Sequence, residues 1–143
     1  MRSNTVFIGA VVALLVVLAI EAWLFATFLP GYTPLALFLD MGSVMMMVTM
    51  VILLLAVTGL IGGLTGDAGL ARIASGLAVI FGLLGAAYGE LNTQMGIQYS
   101  GGTVSFAVTA PARAQSLAHF GLGLSVAVVS LALIRMRRRP RRA

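Results

Sequence analysis

TVFIGAVVALLVVLAIEAWLFATFL, residues Thr5–Leu29, is the stretch on which the fold turns, and Glu21 is its one ionisable side chain. It exceeds the ~20 apolar residues a helix needs to cross a ~30 Å hydrocarbon core. Its apolar residues are continuous rather than alternating, which selects a helix over a barrel strand. Three similar stretches follow, at about Met41–Leu64, Leu70–Tyr88 and Ala112–Ile134. The sequence therefore predicts an all-α membrane protein, a four-transmembrane-helix bundle forming a single membrane domain over residues 1–143. The first stretch is too long for the apolar core of a signal peptide, about 7–15 residues, and is read as a retained helix.

Composition agrees. The chain is 60% hydrophobic and 9% charged, whereas a water-soluble domain carries about 25% charged residues. The net charge of +5 is concentrated in one place. Arg135, Arg137, Arg138, Arg139, Arg141 and Arg142 form a basic tail over residues 135–143, and the rest of the chain holds three arginines against four acids. A nucleic-acid-binding domain would spread its basic residues over a folded face. A cluster beside an apolar helix fits a topology anchor that touches lipid headgroups. With no cysteine, disulfides and thiolate chemistry are excluded. No phosphate-binding loop, dinucleotide fingerprint, zinc-protease helix or nucleophile elbow occurs, so an enzyme is not expected.

Pro30–Pro34 and Thr65–Gly69 read as turns. Gly89–Pro111, rich in Gly, Thr, Ser and Gln, reads as a long external loop with a short strand at Thr103–Thr109. Arg2, Arg72 and the tail fall at one set of helix ends, while the loops at 30–40 and 89–111 carry acids only. The positive-inside rule then places both termini in the cytoplasm, in a bacterial inner membrane, with Arg113 as the exception.

Two ionisable residues, Glu21 and His119, fall deep in the apolar segments. Glu21 lies about eight residues from the outer end of the first, roughly 12 Å deep at ~1.5 Å per residue. A carboxylate there costs several kcal/mol unless it is protonated, paired or facing water, so it is either a functional group or a structural, hydrogen-bonded one. His119 lies at a similar depth in the fourth segment. A Glu21–His119 pair across two helices could relay protons. Alternatively His119 is bonded to a neighbouring helix, or ligates a haem or chlorophyll-type pigment; no other cofactor is expected. The second segment holds Met41, Met45, Met46, Met47 and Met50, with MxxxM spacings at 41/45 and 46/50 that are similar to membrane copper transporters. Methionine is also a flexible packing residue, which is the weightier reading. Small residues at four-residue spacing (Gly85/Gly89 with Gly82, then Ala114/Ala118 and Gly121/Ser125) predict close packing of the third segment on the fourth.

Ile80-Phe81-Gly82-Leu83-Leu84-Gly85-Ala86-Ala87-Tyr88-Gly89, followed by Ala110-Pro111-Ala112-Arg113-Ala114-Gln115-Ser116-Leu117 and Leu122-Gly123-Leu124, resembles the MotA/TolQ/ExbB proton-channel family. The first run looks like that family's LLGLxGTVxG stretch, the second like the APGIAEALxxTxxGL start of its last membrane helix. The resemblance covers roughly residues 72–134. It implies a homo-oligomeric membrane subunit with a partner bearing a single membrane helix and an acid. The family's pore residues are not retained: Ala86, Gln115 and Phe120 stand where the family has threonine, glutamate and threonine. Glu21 or His119, with Gln115 beside the path, would have to substitute.

The leading expectation is thus a non-enzymatic integral membrane subunit of an oligomeric complex, ion-conducting or energy-transducing like that family. A small proton-coupled transporter using Glu21, as the four-helix small multidrug resistance proteins use a membrane glutamate, is the alternative. An accessory or assembly subunit of a respiratory or photosynthetic complex is a third.

Overall fold

The computed structural model describes residues 2–138; Arg139, Arg141 and Arg142 of the basic tail lie outside the described residues, as do the side chains of Arg2, Ser3 and Arg138. Five helices follow in chain order: α1 (Arg2–Phe28), α2 (Pro34–Leu39), α3 (Ser43–Thr65), α4 (Ala68–Tyr99) and α5 (Phe106–Arg138). All but α2 are long and apolar enough to cross a membrane. Among the described residues there is no strand.

Local chemistry sets the connections. Gly66 ends α3 in the left-handed region at φ 87° and returns its N–H to the Gly62 carbonyl. Asp67 then caps α4, its carboxylate accepting from the N–H groups of Gly69 and Leu70 at 2.9 and 3.0 Å. At the opposite end of the bundle, Thr33 caps α2 by accepting from the Ala36 N–H, and Pro34 occupies the first turn.

The 89–111 loop and the strand at 103–109 are corrected. The chain stays helical to Tyr99 and resumes at Phe106, leaving a six-residue turn, Ser100–Ser105, in which Gly101 and Gly102 take positive φ. The polar run after Gly89 marks where α4 loses its apolar character, not where it ends. Gln94 donates to Glu90 one turn back at 2.7 Å, and Thr93 donates to the Gly89 carbonyl at 2.9 Å. Pro111 reads as a helix start but sits inside α5. It removes one hydrogen bond to Ala107, whose exposed position near the helix start makes that loss tolerable. At ~1.5 Å per residue, α4 and α5 are roughly 48 and 50 Å long, well beyond the thickness of a hydrocarbon core.

Helix α5 is the centre of the bundle, packing on α1, α2, α3 and α4. The closest seam is with α4. A Cβ at Gly82 would meet the His119 carbonyl oxygen at 2.7 Å, one at Gly85 would meet the His119 ring at 3.0 Å, and one at Gly123 would strike the Ala78 carbonyl. Gly82, Gly85 and Gly89 therefore all face α5. The matching face of α5 is Ser116, His119, Phe120 and Gly123, not the two small-residue pairs singled out by spacing. Ala114 is buried with Leu24, Leu29 and Leu37 of the α1–α2 region, Ala118 borders Pro34 and Phe38, and Gly121 faces Val17 and Glu21 of α1. Ser125 is half-buried and donates to the Gly121 carbonyl in its own helix. A second layer, Ile52, Ala78 and Val126, joins α3, α4 and α5. Helix α1 is different: 6% of its apolar window is buried, against 44% for α5, and α5 is its one substantial neighbour.

The start of α1 and the end of α5 share one end of the bundle with the α3–α4 connection. Arg135 donates to Asn4 at 3.1 Å and lies over the Phe7 ring, its guanidinium carbon 4.0 Å from the ring centroid. A Cβ at Gly66 would come within 3.5 Å of Arg137 Nη1.

Candidate functional site

The polar interior is centred on His119, 1% exposed at the meeting of α3, α4 and α5. Its Nδ1 lies 2.7 Å from the Gln115 carbonyl one turn back. Its Nε2 lies 2.9 Å from the Thr49 hydroxyl and 3.1 Å from the Met45 carbonyl. A carbonyl can only accept, so Nδ1 carries a hydrogen, an assignment inferred from the network. The Thr49 hydroxyl then has two choices. It donates to Nε2 of the neutral ring, or it donates to the Met45 carbonyl, 3.0 Å away, while receiving a hydrogen from Nε2. The cluster thus offers partners to the ring in either protonation state. Met41 Sδ, 3.8 Å from the Thr49 hydroxyl, completes it.

Why the sequence folds this way here is local. Thr49 is the one hydroxyl in the first two turns of α3 after Ser43. Gly85 leaves room for the imidazole where any side chain would displace it. Gln115, four residues before His119, donates its amide N–H to the Leu37 carbonyl at 3.0 Å and so ties α2 to α5. Beside it a cavity of about 300 Å³ is bordered by Tyr88, Asn92, Thr93 and Gln115 over the start of α3. A second, of about 180 Å³, lies between α2 and α3 against His119 and Thr49.

No protein-family model, curated protein or solved structure matches the chain.

Glu21 and His119 do not meet. Glu21 faces the α5 backbone at Gly121, with Oε1 3.7 Å from where a Cβ there would lie. Positions 119 and 121 point roughly 200° apart around α5 at ~100° per residue, so one helix cannot present both to the same neighbour. Among the described residues Oε1 is buried without a hydrogen-bond partner. Pigment ligation by His119 would require Nε2 to give up Thr49 and Met45, with Gly85 already closed on the ring. The methionines are spread over differently buried positions. Met41 precedes α3, Met45 is 5% exposed against α4, and Met46, Met47 and Met50 are 38%, 69% and 57% exposed on the outer surface of the helix. Of the family-resemblance positions, Ala86 and Phe120 are half-buried.

Two partnerships escape a reading of the sequence. Thr49 meets His119 across 70 positions, a contact with no local signature. Arg113 pairs with Glu90 at 3.5 Å; reading 89–111 as loop removes Glu90 from the helix that positions it.

Proposed function

We propose that the protein is a non-enzymatic integral membrane subunit of an oligomeric complex, and that α1 is the face it presents to other membrane helices. One observation carries this reading: Glu21 is only half-buried on the helix that the bundle covers least, and its buried Oε1 has no hydrogen-bond partner among the described residues. A polar group in that position is costly in lipid, and a neighbouring helix is the ordinary means of relieving it. Several other polar side chains of the membrane spans are served within the chain. Thr58, Ser75, Ser116 and Ser125 each donate to the carbonyl one turn back.

Within that reading, the activity class is ion conduction or energy transduction like that of MotA/TolQ/ExbB proteins, with both termini cytoplasmic. Glu21 is the proton-responsive group at the subunit interface, and the His119–Thr49 cluster is a fixed polar node inside the subunit. Native mass spectrometry of the chain extracted gently from its own membrane should give an oligomer, alone or with a second membrane subunit. Ion flux in reconstituted vesicles should fall at least tenfold on Glu21→Gln, the scale of losing about 1.4 kcal/mol at the rate-limiting step. A lone monomer, or unchanged flux in the variant, would remove Glu21 from the mechanism.

A further inference from the structure

Arg113 is the arginine that breaks the charge asymmetry of the chain, and its surroundings explain what such a group can do there. It projects from α5 at the α2 end of the bundle, beside Glu90 of α4, with the two side chains 30% and 44% exposed. Its guanidinium carbon lies 5.1 Å from the centroid of the Phe106 ring, and its Nε is buried with no hydrogen-bond partner. Because α1 packs on α5 and hardly on α4, the two helices are splayed apart here. The space between them is a groove of about 350 Å³ whose apolar walls are Ile20, Trp23, Ala86, Phe106 and Leu117. Phe106 to Leu117 is eleven rises along α5, roughly 16 Å at ~1.5 Å per residue. Trp23, 55% exposed near the end of α1, is the side-chain type that sits at headgroup level.

The groove therefore couples an acyl-chain-sized apolar slot to one cation and one anion at its mouth. A purely anionic headgroup would be drawn to Arg113 and repelled by Glu90; a cationic amphiphile would meet the reverse. A headgroup carrying a phosphate and a primary ammonium, a short two-carbon link apart, complements both. The guanidinium fork suits phosphate, and a carboxylate accepts hydrogen bonds from an ammonium. We propose that this groove is a phospholipid site for a zwitterionic, ethanolamine-type headgroup, with the phosphate on Arg113, the ammonium on Glu90 and one acyl chain lying between α1 and α4.

The test is native mass spectrometry of the full chain in detergent, titrated with phosphatidylethanolamine, phosphatidylcholine and phosphatidylglycerol of identical acyl chains. The wild type should retain one ethanolamine lipid roughly tenfold more than either of the others, the ratio expected from one additional charge-assisted contact. Arg113→Gln should lose retention of all three. Glu90→Gln should move the preference towards phosphatidylglycerol, because the repelling carboxylate is gone. Ile20→Trp, which fills the groove from the exposed side of α1, should abolish retention while leaving both charges in place, and it serves if a charge variant fails to fold. Equal retention of the three lipids, a wild-type preference for phosphatidylglycerol, or a preference that survives Ile20→Trp would each overturn the proposal.

Discussion

Helices α1 and α5 are both long and apolar and each carries an ionisable residue deep within its span, yet the structure treats them oppositely. In α5, His119 is 1% exposed and both of its ring nitrogens have partners. In α1, Glu21 has a buried oxygen with none among the described residues. Helix α5 touches every other helix, whereas α1 leans on α5. The difference teaches that a polar residue within a membrane segment has no single meaning. One that is matched on all sides ties its own helices together, and one left unmatched is, on the proposed reading, a place for a group from another helix.

Substitutions can break or sharpen that contrast. The largest effect should come from the α4–α5 seam. Gly82→Val would drive a side chain into the His119 carbonyl and the Cα atoms of Phe120 and Gly123, which as backbone cannot step aside. A loss of about 3 kcal/mol is expected for overpacking of this kind, read by reversible unfolding in mixed micelles. Little or no loss would mean that the helices can separate at low cost. His119→Ala should follow, at about 2 kcal/mol, since it leaves the Met45 and Gln115 carbonyls and the Thr49 hydroxyl to find new partners. A double-mutant cycle with Thr49→Val isolates their coupling, expected near 1 kcal/mol, and additive effects would deny that the two residues act together. The smallest effect belongs to α1. Glu21→Leu removes an unsatisfied group, so the isolated chain should unfold with unchanged or slightly greater stability. A clear destabilisation would show that Glu21 is as well matched inside the subunit as His119.

Much of the fold was legible in the sequence. Continuous apolar runs, broken at Pro30–Pro34 and Thr65–Gly69, are enough to give the four long helices, because lipid forces the backbone to satisfy itself. The helix ends between α4 and α5 were not legible. Hydropathy reports where a helix meets water, and α4 continues as a polar helix to Tyr99 while α5 starts five residues before Pro111. Helix α2 was hidden for the same reason: Pro34–Leu39 is too short to register as a periodic segment and is held by the Gln115 amide from a distant part of the chain. The small-residue pattern marked Gly82, Gly85 and Gly89 as contact residues but could not say which face of α5 they would meet. That depends on how three other helices share α5's circumference. Glu21 and His119 were visible as anomalies of composition; their separation was not, because their rotation about two helix axes is fixed by packing alone.

The most direct test of α1 as an interface uses the absence of native cysteine. Single cysteines at Leu18 and Ala22, exposed positions flanking Glu21, and at Leu84 on the exposed side of α4 can be oxidised in native membranes and analysed by mass spectrometry. If α1 faces other membrane helices, Leu18→Cys and Ala22→Cys should form specific covalent adducts and Leu84→Cys should form few. Adducts of equal yield at all three positions, or none at Leu18 and Ala22, would contradict it and leave α1 a helix that faces lipid.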